Sequence, residues 1–570
     1  NDLSVHMGQL LAHDMSFVTP LADFTAQGNF AIHIPKGDVT FDPESSGIAT
    51  MRFRRSGGKE GTGKATQTPK EQVNKISGWL DLGVVYGSSV DRSNALRVKS
   101  RGLLKSNTFN DEEQLIFNKK GLPNLNLLGR DRESLLISGD NRVNVQPGLL
   151  AFHTLWAREH NYNAKRISRT YPTMSDENVF QAARRQTIAV YQNILMYEWL
   201  PILLGKKYFE EHVGPYKEYN ASVDPRISNE FTTVAFRFGH SQASDSLHRL
   251  GPDLKPTYAG PLHLKDTYFT PDRVLNEGGL NPMVRGMIRK RCQAIDTKAS
   301  DGIRNHLFAT ATSGFDLVAL NIQRGRDHGI TDYNSLRAAY GFAKRQSFEE
   351  ISSDPVIVNN LKSLYNDDVN NIDAFVGGLA EDHAQGASLG ELFQHIVADQ
   401  FRRSRDGDAY WFENKRDGDS DEVPFSSDYI REHDNMLQML KRNTQMGELS
   451  LAGGSDSAFR IGHEDGTCFM AEELCVTMTQ GARKDAVGDN AGESQGKEKA
   501  PSSVVTDKEK TLRDKVIELY QKGVDFFTER ANNADKVMEE ATKRGISPEK
   551  LLKHMDKKYP YGRADYEARL

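Results

Sequence analysis

The stretch Gln146-Pro147-Gly148-Leu149-Leu150-Ala151-Phe152-His153-Thr154-Leu155-Trp156 sets the fold class. Leu149, Leu150, Phe152, Leu155 and Trp156 recur at the three- and four-residue spacing of a helix with one buried face. The helical pattern runs on to Leu204. Its most apolar part, Thr187 to Gly205, carries Gln192, Asn193 and Glu198 and reads as a core helix. Further helical patterns fall at 282–312, 333–345, 389–402 and 427–442, while strand-like alternation is rare and short. The first 130 residues are rich in loops, with Gly57-Gly58-Lys59-Glu60-Gly61-Thr62-Gly63 as a flexible tip. The first 460 residues read as mainly α with little β.

The chain has 570 residues, enough for one large enzyme core with an appendage. Hydrophobic residues make up 38% and charged residues 26%, an ordinary soluble mixture. Lys+Arg 73 against Asp+Glu 78 gives a net charge of -5, which excludes a dedicated nucleic-acid binder. No uninterrupted apolar run reaches the roughly 20 residues of a membrane span. The opening NDLSVHMGQL lacks the basic start and apolar core of a signal peptide. Cys292, Cys468 and Cys475 allow at most one bridge. Cys468 and Cys475 are close enough in sequence to pair, and free thiols are equally open. Without a CxxC pair a cysteine zinc site is not expected. His463-Glu464 lacks the second histidine of a zinc protease motif.

Residues 481–506 hold almost no large apolar side chain and read as a linker. After it, Leu512, Val516, Leu519, Tyr520, Val524 and Phe527 return to helical spacing. Ser547-Pro548 opens a second short helix. The expected organisation is one domain over 1–470, the linker, and a helical tail of unknown role over 507–570.

Four stretches concentrate chemistry. In Gly8-Gln9-Leu10-Leu11-Ala12-His13-Asp14, Gln9 and His13 share a helix face and Asp14 diverges from it. Gly139-Asp140-Asn141-Arg142-Val143-Asn144 puts an arginine where a loop enters the long helix. Ala235-Phe236-Arg237-Phe238-Gly239-His240-Ser241 ends an apolar run on a histidine. Leu320-Asn321-Ile322-Gln323-Arg324-Gly325-Arg326-Asp327-His328-Gly329 is unusually dense in polar groups. Taken singly, each is also what an ordinary buried fold contains: a packed histidine, a capping arginine, an internal hydrogen-bond network.

Together they form an ordered set. GQLLAHD (8–14), SGWLDLGVVYGS (77–88), GDNRVN (139–144), HTLWAREHN (153–161), AFRFGHS (235–241), LNIQRGRDHG (320–329) and RDGDAYWFEN (405–414) resemble the animal haem peroxidase superfamily, in its order, over roughly residues 1–460. The tail has no counterpart in that resemblance. The resemblance implies the family's mainly α fold and a haem peroxidase that reduces hydrogen peroxide and, through a ferryl state, oxidises halide, pseudohalide or phenolic donors. It implies His13 as the distal acid–base, Arg142 as the distal cation and Gln9 as the contact to bound water or halide. It implies His240 as the iron ligand, Asn321 as the acceptor holding its other nitrogen, and Arg237 and Arg324 near the haem propionates. It also implies calcium held by Asp14 with Ser77, Trp79, Asp81 and Gly83, although Gly83 stands where mammalian members have serine and lacks its hydroxyl. The family is mostly secreted, which makes an extracellular location the expectation. Asn220-Ala221-Ser222 is a glycosylation sequon. Oligomeric state is not legible.

The chain departs from the mammalian pattern at the haem attachment points. Ala12 and Val145 stand where ester-forming carboxylates occur, and Gln146 stands where myeloperoxidase has a sulfonium-forming methionine. Non-covalent haem b is therefore expected. The cyclooxygenase-type fatty-acid dioxygenases also lack the ester links, but place a tyrosine three residues before the proximal histidine, where this chain has Arg237. Non-catalytic, adhesion-type members usually lose one of the residues that here are His13, Arg142 and His240.

Overall fold

Asn1 caps the first helix, its Oδ1 accepting from the Ser4 N–H at 3.2 Å. Helix α1 (Asp2–Met15) buries Leu3, Met7, Leu10, Leu11 and Met15 completely. Gln9 and His13, on its other side, stay half-buried. The computed structural model describes residues 1–21, 28–65, 67–309, 314–415, 425–446 and 457–460. The expected linker, the helical tail, His463, Cys468 and Cys475 lie outside the described residues.

The stretch that set the fold class is helix α2 (Pro147–Thr170). Pro147 occupies its first position, where no N–H is needed, and the Gln146 Oε1 accepts from the Gly148 N–H at 2.6 Å. Leu149, Leu150, Phe152, Leu155 and Trp156 are all buried. Helix α3 (Asp176–Ile194), capped by Ser175, packs along α2, and the Trp156 and Tyr191 rings meet edge to face at 5.3 Å. It continues through a π-type turn (Leu195–Trp199) and one further turn (Leu200–Leu204). The polar residues of this core helix are satisfied. Gln192 Nε2 donates to the Leu80 carbonyl at 2.9 Å, and Glu198 Oε2 accepts from the Met436 N–H at 2.8 Å.

A 3-10 segment (Ala235–His240) and helix α4 (Leu317–Asp327) form the opposite side of the domain's centre. The Asp316 carboxylate caps α4 by accepting from Val318 and Ala319 at 2.8 and 3.0 Å. Helix α5 (Glu391–Asp406) backs the 3-10 segment, with Phe401 5.5 Å from Phe236. Strand structure is confined, among the described residues, to three separate antiparallel pairs: β1 (Ile32–His33) with β2 (Thr50–Met51), β3 (Asn107–Phe109) with β4 (Glu112–Gln114), and β5 (Ser246–Leu247) with β6 (Leu262–His263). The β3–β4 hairpin turns through Asn110 and Asp111, both at positive φ (49° and 60°), which suits their short polar side chains.

Three expected helices are shorter or divided. The pattern at 282–312 yields a helix over Asn281–Arg289 and a single turn over Asp301–Arg304. Lys290 is extended, its ammonium drawn to the Ser246 carbonyl and to Asp2. The pattern at 427–442 divides into Ser427–His433 and Met436–Asn443 because Asn435 caps the second piece, accepting from Gln438 at 2.9 Å. The helix at 333 stops at Ala339, before Gly341 at φ 81°.

Candidate active site

The α1 face that turns from the core and the 3-10 segment meet across a cavity of about 420 Å³. Gln9, His13, Arg142 and Gln146 line one side and Phe236, Arg237, Gly239 and His240 the other. Ala12 and Val145 present only carbon to the same space. Sequence reasoning therefore places His13, Arg142, Gln9, His240 and Arg237 in one site. Asn321 stands behind His240, outside the lining. Arg324 is also outside it, spending donors on the Arg54 carbonyl, Ser56 and the Asp327 carboxylate at 3.0, 2.8 and 2.7 Å.

Arg142 is a fixed cation. Nε and Nη2 fork onto the two oxygens of Asp140 at 2.8 and 2.7 Å. Nη2 also donates to the His13 carbonyl at 2.9 Å and Nη1 to the Ser16 carbonyl at 3.2 Å, and the guanidinium lies 4.6 Å over the Phe17 ring. Burial alone would push the Asp140 carboxyl up, but Arg142 overrides it and holds the group well below the usual range. Burial, with the Arg142 charge beside it, pushes the His13 imidazole well below its ordinary pKa, so it is neutral at neutral pH. Its Nδ1 is buried and has no hydrogen-bond partner among the described residues.

His240 is likewise neutral, pushed down to about 3 by burial and then by Arg237. Among the described residues its Nε2 makes no hydrogen bond, while Nδ1 lies 2.7 Å from Asn321 Nδ2. The contact is the expected one but the amide is turned over. Arg237 Nη1 donates to Asn321 Oδ1 at 2.6 Å, and a guanidinium has only donors, so it claims the oxygen and leaves the NH₂ facing the imidazole. For Asn321 to act as acceptor, its amide must rotate away from Arg237.

Asp14 leaves α1 on the far side from the cavity. Its carboxylate accepts from Leu82 and Val84 N–H groups at 3.1 Å each and from the Tyr191 hydroxyl at 3.1 Å. Burial and the neighbouring Asp81 push its pKa well up. A Cβ built on Gly83 would stand 3.2 Å from an Asp81 oxygen, 3.5 Å from an Asp14 oxygen and 3.7 Å from the Ser77 hydroxyl oxygen. The small side chain at 83 thus leaves a space edged by three oxygens. Trp79 reaches this loop through its backbone, its N–H 3.4 Å from Ser77 Oγ.

The sequence of animal haem peroxidases, as a family model, matches residues 1–450. The chain belongs to the animal haem peroxidase family. It is 38% identical to peroxinectin A of Dictyostelium discoideum over 424 residues, covering 71% of this chain and 75% of that protein. It is 34% identical to thyroid peroxidase of Mus musculus over 442 residues, 71% of this chain but only 48% of that longer protein. Its fold matches the solved structure of peroxidase A from Dictyostelium discoideum with a TM-score of 0.70 at 34% identity, covering 78% and 84% of the two chains. Membership makes the chain a haem-dependent peroxidase that consumes hydrogen peroxide. The residues present fit that cofactor. Among the described residues His240 Nε2 and His13 Nδ1 have no hydrogen-bond partner, and a Cβ added to Gly239, in the cavity wall, would meet nothing within 4 Å. Among the described residues no helix is long and apolar enough to cross a membrane.

Motif reading missed three contributors: Asp140, which clamps Arg142; Phe17, which that guanidinium covers; and His6, which lines the cavity one helical turn before Gln9. His6 was detectable, since positions 2, 6, 9 and 13 recur on one face of α1.

Proposed function

We propose that this peroxidase oxidises small anionic donors or phenols, with His13, Arg142 and Gln9 working on peroxide and donor, and His240 holding the haem iron. The observation that carries the reading is the meeting of these four side chains across one cavity. Haem supplies the redox chemistry that splits peroxide. His13, neutral at neutral pH, accepts a proton from one peroxide oxygen and returns it to the departing oxygen, which leaves as water. The Arg142 cation stabilises charge developing on that oxygen. Arg237 faces the cavity beside His240 and is the candidate partner for a haem carboxylate. Arg324 is tied to Asp327, so its part is to hold the neighbouring backbone at Arg54.

Haem is held without covalent links, because Ala12 and Val145 have no carboxylate and Gln146 no thioether. Without distorting links the cofactor is an ordinary histidine-ligated haem b, so iodide or phenols are oxidised and chloride poorly. Calcium occupies the space beside Gly83, with Asp14, Asp81 and Ser77 oxygens and backbone from the Trp79 loop as donors. An extracellular location accords with the family's secreted members. The test is reconstitution. Wild type should bind one haem that acidified organic solvent extracts unmodified, and His240→Ala should lose stoichiometric uptake. Haem migrating with the denatured polypeptide, or full uptake by His240→Ala, counts against the reading.

A further inference from the structure

The π-type turn (Leu195–Trp199) ties the active-site cavity to a second concavity of the domain. Such turns are rare inside helices and gather at functional sites. Trp199 backs the cavity wall at two points. Gly8 lines the cavity, and a Cβ there would stand 3.3 Å from Trp199 Cζ2, so the missing side chain lets the indole lie against that wall. Phe236, also in the lining, has its ring centre 6.3 Å from that of Trp199. The indole is fixed there by its Nε1, which donates to the Ser4 carbonyl at 3.1 Å. Two residues earlier in the same turn, the Tyr197 hydroxyl donates to the Glu413 carboxylate. The same carboxylate oxygen accepts from the Trp411 indole N–H at 3.0 Å. The Arg431 guanidinium lies 3.2 Å over the Tyr197 ring and 3.6 Å from the other Glu413 oxygen, which pins the pair.

Trp411 in turn lines a groove of about 950 Å³, against about 420 Å³ for the cavity. Tyr219, Phe412 and Phe425 share that lining, and Tyr410 stands in it 75% exposed. Indole and phenol rings give up an electron far more readily than phenylalanine does. A phenol must also shed its proton, which requires a base, and Tyr197 has one in Glu413. Tyr268 marks the contrast. It lines the cavity too, but its hydroxyl donates to the Gly302 carbonyl at 2.9 Å, an acceptor too weak to keep a proton. The rings packed near it, Phe308 and Phe269, lead no further.

We infer that Trp199, Tyr197 and Trp411 relay electrons inward from the groove, which is a second donor site where phenols too bulky for the cavity are oxidised one electron at a time. The inference rests on the haem peroxidase reading and adds a second place at which donors react. Hydrogen peroxide is the oxidant: it takes up two electrons and two protons and leaves as two waters. Two phenols supply them, each breaking its O–H bond and leaving as a phenoxyl radical. Within the relay Trp199 gives an electron to the oxidised cofactor and is refilled by Tyr197, whose hydroxyl proton moves to Glu413. Trp411 then supplies an electron to Tyr197 as Glu413 returns the proton, and the phenol in the groove restores Trp411.

The experiment gives full-length, haem-loaded protein hydrogen peroxide and two donors in turn: iodide, and a lignosulfonate polymer whose bulk keeps it out of the cavity. Tyr197→Phe and Trp411→Phe keep a ring in place and remove the redox group. Each should lose most of the lignosulfonate oxidation while iodide oxidation stays at the wild-type rate. Glu413→Gln keeps an acceptor but not a base, and should show the same split. A second readout needs no donor. Protein treated with peroxide and a nitroso spin trap, then digested, should carry the trap on Tyr197 or Trp411, and Tyr197→Phe should abolish any label on Trp411. Wild-type lignosulfonate oxidation in Tyr197→Phe overturns the relay while leaving the haem reading intact. Equal loss of both donors, wild type that oxidises iodide alone, or wild type with no label on either residue does the same. Wild type that takes up no haem overturns both.

Discussion

His13 has to be neutral to accept a proton, and its surroundings decide the pH at which that condition fails. Burial and the Arg142 cation lower its pKa well below 6.5. A lowered histidine pKa means that the neutral form persists as pH falls and is lost only below 6.5. The rate of the reaction with hydrogen peroxide should therefore be flat from pH 8 to 6.5 in stopped-flow mixing. Replacing His13 with Ala should slow it at least about 100-fold, the lower end of general acid–base assistance. A limb centred at 6.5, or an unchanged rate in the variant, would remove His13 from this role. The motifs named His13, Gln9, Arg142 and His240 because each sits inside a short ordered stretch. Asp140 escaped because its importance lies in its fork to Arg142, a contact that sequence alone does not reveal, and for His6, which shares the helix face of Gln9 and His13, only the contact with Gln146 was hidden. The orientation of Asn321 escaped for the same reason, since Arg237 decides it from another segment.

The loop bearing Arg142 is fixed by backbone contact with a short helix, Gly83–Tyr86. Asp140 N–H and Ser138 Oγ both donate to the Val84 carbonyl, at 2.9 and 3.0 Å. Gly139 sits so close that a Cβ there would lie 2.3 Å from the Gly83 carbonyl oxygen and 2.4 Å from the Gly87 nitrogen. Gly139→Ala should force the two segments apart, costing about 3 kcal/mol or more in denaturant unfolding and slowing the peroxide reaction by displacing Arg142. A variant of wild-type stability would show that the loop yields freely. Helix positions were legible where one apolar face persists, as over Pro147–Thr170. The divisions at Lys290 and Asn435 were less so, because apolar spacing continues across them. At Asn435 a capping side chain interrupts the helix, and at Lys290 a long-range ion contact draws the backbone out of it.

At the scale of the whole domain, buried neutral histidines make the fold sensitive to acid. His160 is completely buried, its Nε2 donating to the Gly102 carbonyl at 2.8 Å and its Nδ1 accepting from the Tyr86 hydroxyl at 3.0 Å. Burial pushes its pKa down to about 4. The unfolded chain takes up the proton first, so stability is intact above 6.5 and falls as pH drops from 6.5 toward 4. At pH 5 the loss from this one residue is on the order of 2 kcal/mol. His160→Gln carries no such penalty, so its deficit in Tm against wild type at pH 7 should shrink markedly at pH 5. A constant deficit would mean that His160 is protonated in place. The cavity itself has another consequence, one of timing. Its wall draws on residues from Asp2 to Leu320. At a synthesis rate of roughly 5–20 residues per second, the ribosome takes about 15–60 s to travel from His13 to Leu320. Until Phe236–His240 emerge, the chain has one wall of the pocket and not the one that faces it. Its histidine-bearing first helix waits for segments not yet made, so the pocket closes later than one whose residues are local in sequence.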